Sequence, residues 1–84
     1  MKPIRLSGHA RGNLPYRGAT AQEVEEAIRS STWEKAAEER LECRKDFSYR
    51  QYWNGKFYAT KQVRPIFVEE ADEIVVVTLY VYYF

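Results

Sequence analysis

Residues 74–83, Ile-Val-Val-Val-Thr-Leu-Tyr-Val-Tyr-Tyr, are β-branched or aromatic at every position except Leu79. Such side chains favour extended backbone. Both alternating sets are apolar, so the strand belongs inside a sheet or against another chain. The run is far too short to cross a bilayer as a helix. A sheet must therefore organise the fold, and 84 residues leave room for one domain, residues 1–84. Its only cysteine, Cys43, cannot form an internal disulfide. Stability must come from the core alone or be shared with a partner. An apolar share of 45% and an aromatic share of 15% suffice for such a core and exclude disorder as the main state.

The remaining strands are read from period-two alternation. Leu41, Cys43, Lys45 and Phe47 alternate with Glu42, Arg44 and Asp46. Asn54-Gly55 is a hairpin turn sequence, and residues 57–61 and 64–69 read as strands, with Pro65 marking an edge or an irregularity. Ahead of these, Thr20-Ala21-Gln22-Glu23 forms a capping box, followed by an apolar stripe of Val24, Ala27 and Ile28 on about three helical turns. Residues 34–40 have helical propensity but only a short apolar stripe, which leaves a second helix open. The expected architecture is α+β, with N-terminal helix material packed on a four-stranded antiparallel sheet.

Net charge is +1, but the charges are segregated. Residues 1–19 carry four cations and no acid. Residues 20–43 are acidic, residues 44–64 basic, and the last twenty acidic again. Folding either gathers the basic blocks into one face or lets the blocks neutralise one another across the sheet. The chain starts without the apolar core of a signal peptide, and one free cysteine suits a reducing compartment, so a cytoplasmic location without membrane contact is expected.

Ser7-Gly8-His9-Ala10, then Tyr16-Arg17-Gly18, then a capped acidic helix with Glu23-Val24 and Ile28 resemble the opening of a bacterial family, the domain of unknown function 4258. Arg64-Pro65-Ile66-Phe67-Val68 and residues 74–80 resemble its closing strands. That family is placed near the RelE and BrnT toxin-like folds, among small metal-independent ribonucleases. The resemblance implies a RelE-like fold and a toxin-like role in a toxin–antitoxin system, with RNA and a cognate antitoxin-like protein as partners. Gly12-Asn13-Leu14-Pro15 departs from the continuous helix of relatives and is expected to interrupt the first helix.

Metal-free RNA cleavage needs a base for the 2′-hydroxyl, an acid for the leaving oxygen and cations around the phosphorane charge. His9, the only histidine, is the candidate acid or base; a capping or surface histidine is the alternative. Arg17, Lys61 and Arg64 are the candidate catalytic cations. Lys45 shares a strand face with Leu41 and Phe47 and is a candidate RNA contact, or a rim lysine with a buried stem. Thr78 and Tyr80, assigned by alternation to one face with Ile74, Val76 and Tyr82, are further RNA-contact candidates by resemblance; as ordinary strand residues they need no such role.

The chain has no P-loop, GxGxxG, CxxC or HExxH sequence, so nucleotide, redox and zinc-hydrolase readings lack support, and neither a metal nor a cofactor is expected. Two functions remain in view. One is a toxin-like domain acting as a metal-independent ribonuclease or RNA-binding protein, with catalysis left open. The other is a non-catalytic protein-interaction module, for which a homodimer through the C-terminal strand is one form.

Overall fold

The computed structural model describes residues 1–84. Strand β1 (Ile4–Leu6) leads into helix α1 (Gly8–Arg17) and helix α2 (Ala21–Ser30). Short strands β2 (Glu34–Lys35) and β3 (Leu41–Glu42) flank a 3-10 turn, Ala37–Glu39. The long strands β4 (Lys45–Trp53), β5 (Lys56–Glu69) and β6 (Ile74–Tyr83) complete one mixed sheet. The chain is α+β, but its sheet has six strands rather than four and is not purely antiparallel. β1 pairs in parallel with β6, Ile4 opposite Ile74 and Leu6 opposite Val76. Three residues are too few to display a period of two, which is why β1 is invisible to alternation.

Local chemistry sets the helices. Thr20 and Glu23 form both bonds of the capping box, at 3.1 and 3.0 Å, and Val24, Ala27 and Ile28 are buried. The expected break in α1 does not occur. Pro15 sits in the last turn and on the surface, where water can reach the Arg11 carbonyl deprived of its N–H partner. The helix ends instead at Gly18, in the left-handed region with φ 77°. Residues 34–40 are not a helix: β2 and the turn take them, with Glu38 and Glu39 both at φ 60°.

Residues 57–69 form one strand, not two. Pro65 explains the interruption on the neighbouring side. Thr60 exchanges both backbone bonds with Phe84, so the even-numbered residues of β5 turn their backbone groups toward β6 and Pro65 turns away from it. β3 and β4 pair with β5 in one common register and stop on either side of Pro65, opposite Cys43 and Arg44. A proline has no N–H to give there, so one continuous strand becomes two.

The helices cover one face of the sheet, here the inner face. Val24, Ala27 and Ile28 of α2 join Val63, Phe67, Val76 and Leu79 in the core. The opposite face of β5 and β6, the outer face, has no helix on it. Between β5 and β6 the pairing moves from Ile66–Thr78 to Phe67–Val76, so Val77 is an extra residue in a bulge. Ser7 pins it: its hydroxyl caps α1 and also donates to the Val77 carbonyl at 3.0 Å. The bulge corrects the face assignment of β6. Ile74 and Val76 point into the core with Leu79, whereas Thr78, Tyr80 and Tyr82 lie on the outer face.

Candidate nucleic-acid interface

The outer face is built from alternation on β5 and β6. Arg64 stands opposite Tyr80 and Gln62 opposite Tyr82. Across β5, Glu42 of β3 reaches the same face. Arg64 donates to both Glu42 oxygens, from Nε at 2.9 Å and Nη2 at 2.8 Å, and its Nη1 donates to Tyr82 Oη at 3.1 Å. The forked, double contact fixes the guanidinium plane. Hydrogen bonds from Arg64 hold the Glu42 carboxyl below the usual carboxylate range, and Glu42 in turn raises Arg64. Glu42 is thus a charged anchor, ill-suited to accept a proton near neutral pH.

Arg17 arrives from the other side. It lies in the last turn of α1, and its guanidinium carbon is 5.4 Å from the centroid of the Tyr80 ring, with that of Arg64 at 5.6 Å. Tyr80 is therefore flanked by two cations. Thr78 lines the same groove, walled by Ala36 and Arg40 from the turn before β3. The structure thus brings Arg17, Arg64, Thr78 and Tyr80 together.

The other candidates are elsewhere. Lys61 is on the inner face and 6% exposed; its Nζ donates to the Gly18 carbonyl and to Glu23 Oε1, both at 2.9 Å, and lies 5.3 Å from the Tyr49 ring centroid. Odd and even positions on β5 put Lys61 and Arg64 on opposite sides of the sheet, so no cleft contains both. Lys45 is half-buried on the helix-covered side, opposite Val63, with Glu26 of α2 at 3.9 Å. It occupies the rim, away from Thr78 and Tyr80. His9 is exposed on α1, its Nε2 accepting from Asn13 Nδ2 at 3.0 Å. It shares no hydrogen bond with Arg17, Lys61 or Arg64, and it sits eight residues from Arg17, about 12 Å along the helix axis.

Two further residues of the opening motif, Ala10 and Gly18, have packing roles. Ala10 is fully buried, and Gly18 lies against the rings of Trp53 and Tyr83. The Tyr83 hydroxyl donates to the Arg17 carbonyl at 2.6 Å, and burial pushes its pKa up to about 12. Lys61 belongs to this structural cluster, since it ties the start of α2 and the end of α1 to β5. Lys61→Ala removes the charge partner of Glu23, which keeps only the Thr20 N–H, and leaves the Gly18 carbonyl without its lysine donor. The expected result is a loss of about 2–4 kcal/mol in urea unfolding.

Most of the segregated charge is neutralised. Lys2 pairs with Glu69 and Arg5 with Glu73; the acidic helix takes Lys45 and Lys61. Arg17 is among the five cations without an acid within 4.0 Å, together with Arg11, Lys35, Arg50 and Lys56. No three His, Cys, Asp or Glu side chains gather to hold a metal ion, and no helix is long and apolar enough to cross a membrane. Glu42 and Tyr82 escaped sequence reasoning as site residues. Their partner, Arg64, is more than fifteen residues from each, and only strand register brings the three together. No family model matches the chain, and none was found among the curated proteins or the solved structures compared with it.

Proposed function

We propose that the protein binds single-stranded RNA on the outer face of its sheet, around Tyr80. The observation that carries this reading is the Tyr80 ring flanked by Arg17 and Arg64 at 5.4 and 5.6 Å, on a face without a helix. An unpaired base can replace one of the guanidiniums that lie over the ring, and the displaced guanidinium can then donate to the adjoining phosphate. Arg17 supplies uncompensated charge, while Arg64, held by Glu42, supplies direction more than net charge. The hydroxyls of Thr78 and Tyr82 suit a ribose 2′-hydroxyl.

Within the toxin-like resemblance of the motifs, this favours the RNA-binding reading over the ribonuclease. The only histidine is off the outer face, and Glu42 is held ionised by Arg64. Neither stands ready to move a proton beside the Arg17–Tyr80 pair.

The test is fluorescence anisotropy with a labelled twelve-nucleotide RNA, single-stranded and as a duplex, over a range of salt. The single strand binds more tightly. Arg17→Ala weakens binding and lowers the magnitude of the log Kd against log salt slope by about 0.7. Equal affinity for both forms, or an Arg17→Ala slope equal to that of the unaltered protein, would sink the reading.

A further inference from the structure

Tyr80 is not alone on its side of β6. Past the Val77 bulge, alternation puts Tyr80, Tyr82 and Phe84 on the outer face in succession, and they are 37%, 42% and 58% exposed. Each stands opposite a residue of β5 that can hydrogen-bond. Arg64 faces Tyr80, Gln62 faces Tyr82, and Thr60 faces Phe84 through a pair of backbone bonds, N–H to O distances of 2.8 and 3.0 Å. Gln62 uses its amide nitrogen on Asp46 at 2.9 Å, which leaves its carbonyl oxygen to accept. The Thr60 hydroxyl makes no side-chain hydrogen bond within the chain.

Alternate residues of a strand are about 6.5–7 Å apart. That is about twice the 3.4 Å rise per nucleotide of a duplex strand. A polynucleotide that follows such a ladder must be single-stranded and opened out, with one base for each ring. From this register we infer a three-nucleotide site running along β6, one nucleotide per cross-strand pair: Tyr80 with Arg64, Tyr82 with Gln62, and Phe84 with Thr60. In each step the ring takes the base and the β5 side chain takes an edge or ribose hydroxyl. Arg17 holds a phosphate at the Tyr80 end. The inference rests on the RNA-binding reading above and adds its length, its register, a base-stacking role for Tyr82 and a further residue, Phe84.

The test uses oligoadenylates of one to five nucleotides, titrated into the full chain by calorimetry. Affinity rises about five- to tenfold with each nucleotide up to the third, as expected for one stacked base per step, and by less than about twofold with the fourth and fifth. Phe84→Ala removes the third step only, so that the trinucleotide binds like the dinucleotide. At 58% exposure Phe84 can be removed without emptying the core; the unfolding midpoint of the variant verifies this. An unbroken rise through five nucleotides, or a third step that survives Phe84→Ala, would overturn the three-ring register while RNA binding at Tyr80 stands. Failure of the twelve-nucleotide RNA to bind removes both proposals. A change in sedimentation from dimer to monomer in Phe84→Ala, with RNA affinity intact, would mark the ring stripe as a protein interface and overturn the register equally.

Discussion

Tyr80→Ala is expected to weaken single-stranded RNA binding by about 5- to 150-fold, the equivalent of about 1–3 kcal/mol for one base–aromatic contact. The effect is large because, on the proposed reading, the ring has two parts to play. It offers a surface for a base, and it lies beside both Arg17 and Arg64 at 5.4 and 5.6 Å. Removing it deprives both guanidiniums of their flat neighbour, so the charge that remains is less ordered. Tyr80→Phe keeps the ring and retains binding within about threefold. At 37% exposure the residue contributes little to the core, and thermal unfolding of both variants stays within a few degrees of the unaltered protein. An alanine variant that binds as well as the phenylalanine variant would remove Tyr80 from the interface.

A large effect on stability is also expected at Gly18. Its φ of 77° is a conformation that side chains rarely adopt, and a Cβ there would sit 2.8 Å from Trp53 Cζ3 and against the Tyr83 hydroxyl. Backbone strain of about 1 kcal/mol and overpacking of about 1–3 kcal/mol combine. Gly18→Ala therefore lowers Tm by more than about 10 °C for a domain of this size. Gly12→Ala is the matched control. Gly12 lies within α1 with open space where a Cβ would project, so alanine there gains about 0.5–1 kcal/mol and raises Tm. The pair separates the two meanings of glycine in one helix: Gly12 is a dispensable weakness, Gly18 a close-packed stop. Equal Tm values for the two variants would contradict the packing of Trp53 and Tyr83 on the end of α1.

Features that depend on a few neighbouring residues were legible in the sequence. The Thr20–Glu23 capping box, the α2 stripe and the Asn54-Gly55 turn each require only four to nine residues, and the structure contains all three. Features that depend on register were not legible. Lys61 and Arg64 looked alike, each a cation in an apolar strand, yet an odd separation of three puts one under the helices and the other on the open face. A single extra residue, Val77, changed which side of β6 Thr78 and Tyr80 share with Ile74 and Val76. Pro65 was correctly suspect, but its consequence falls on the neighbouring strand, where the gap between β3 and β4 opens. Glu42 is not singled out by the sequence, because its alternation with Leu41 and Cys43 says nothing about the arginine it meets across the sheet. His9 stood out only by its chemistry, and chemistry alone does not place a side chain beside a phosphate.

The measurement closest to the central proposal is a nitrogen–proton correlation spectrum of labelled protein titrated with single-stranded RNA. Binding on the outer face predicts progressive shifts at Gln62, Arg64, Thr78, Tyr80 and Tyr82, with Arg17 moving at the end of α1. The amides of His9 and Asn13 on α1 and of Glu25 and Glu26 on α2 stay in place. Shifts confined to the exposed sides of the two helices, or a spectrum unchanged at saturating RNA, would contradict it.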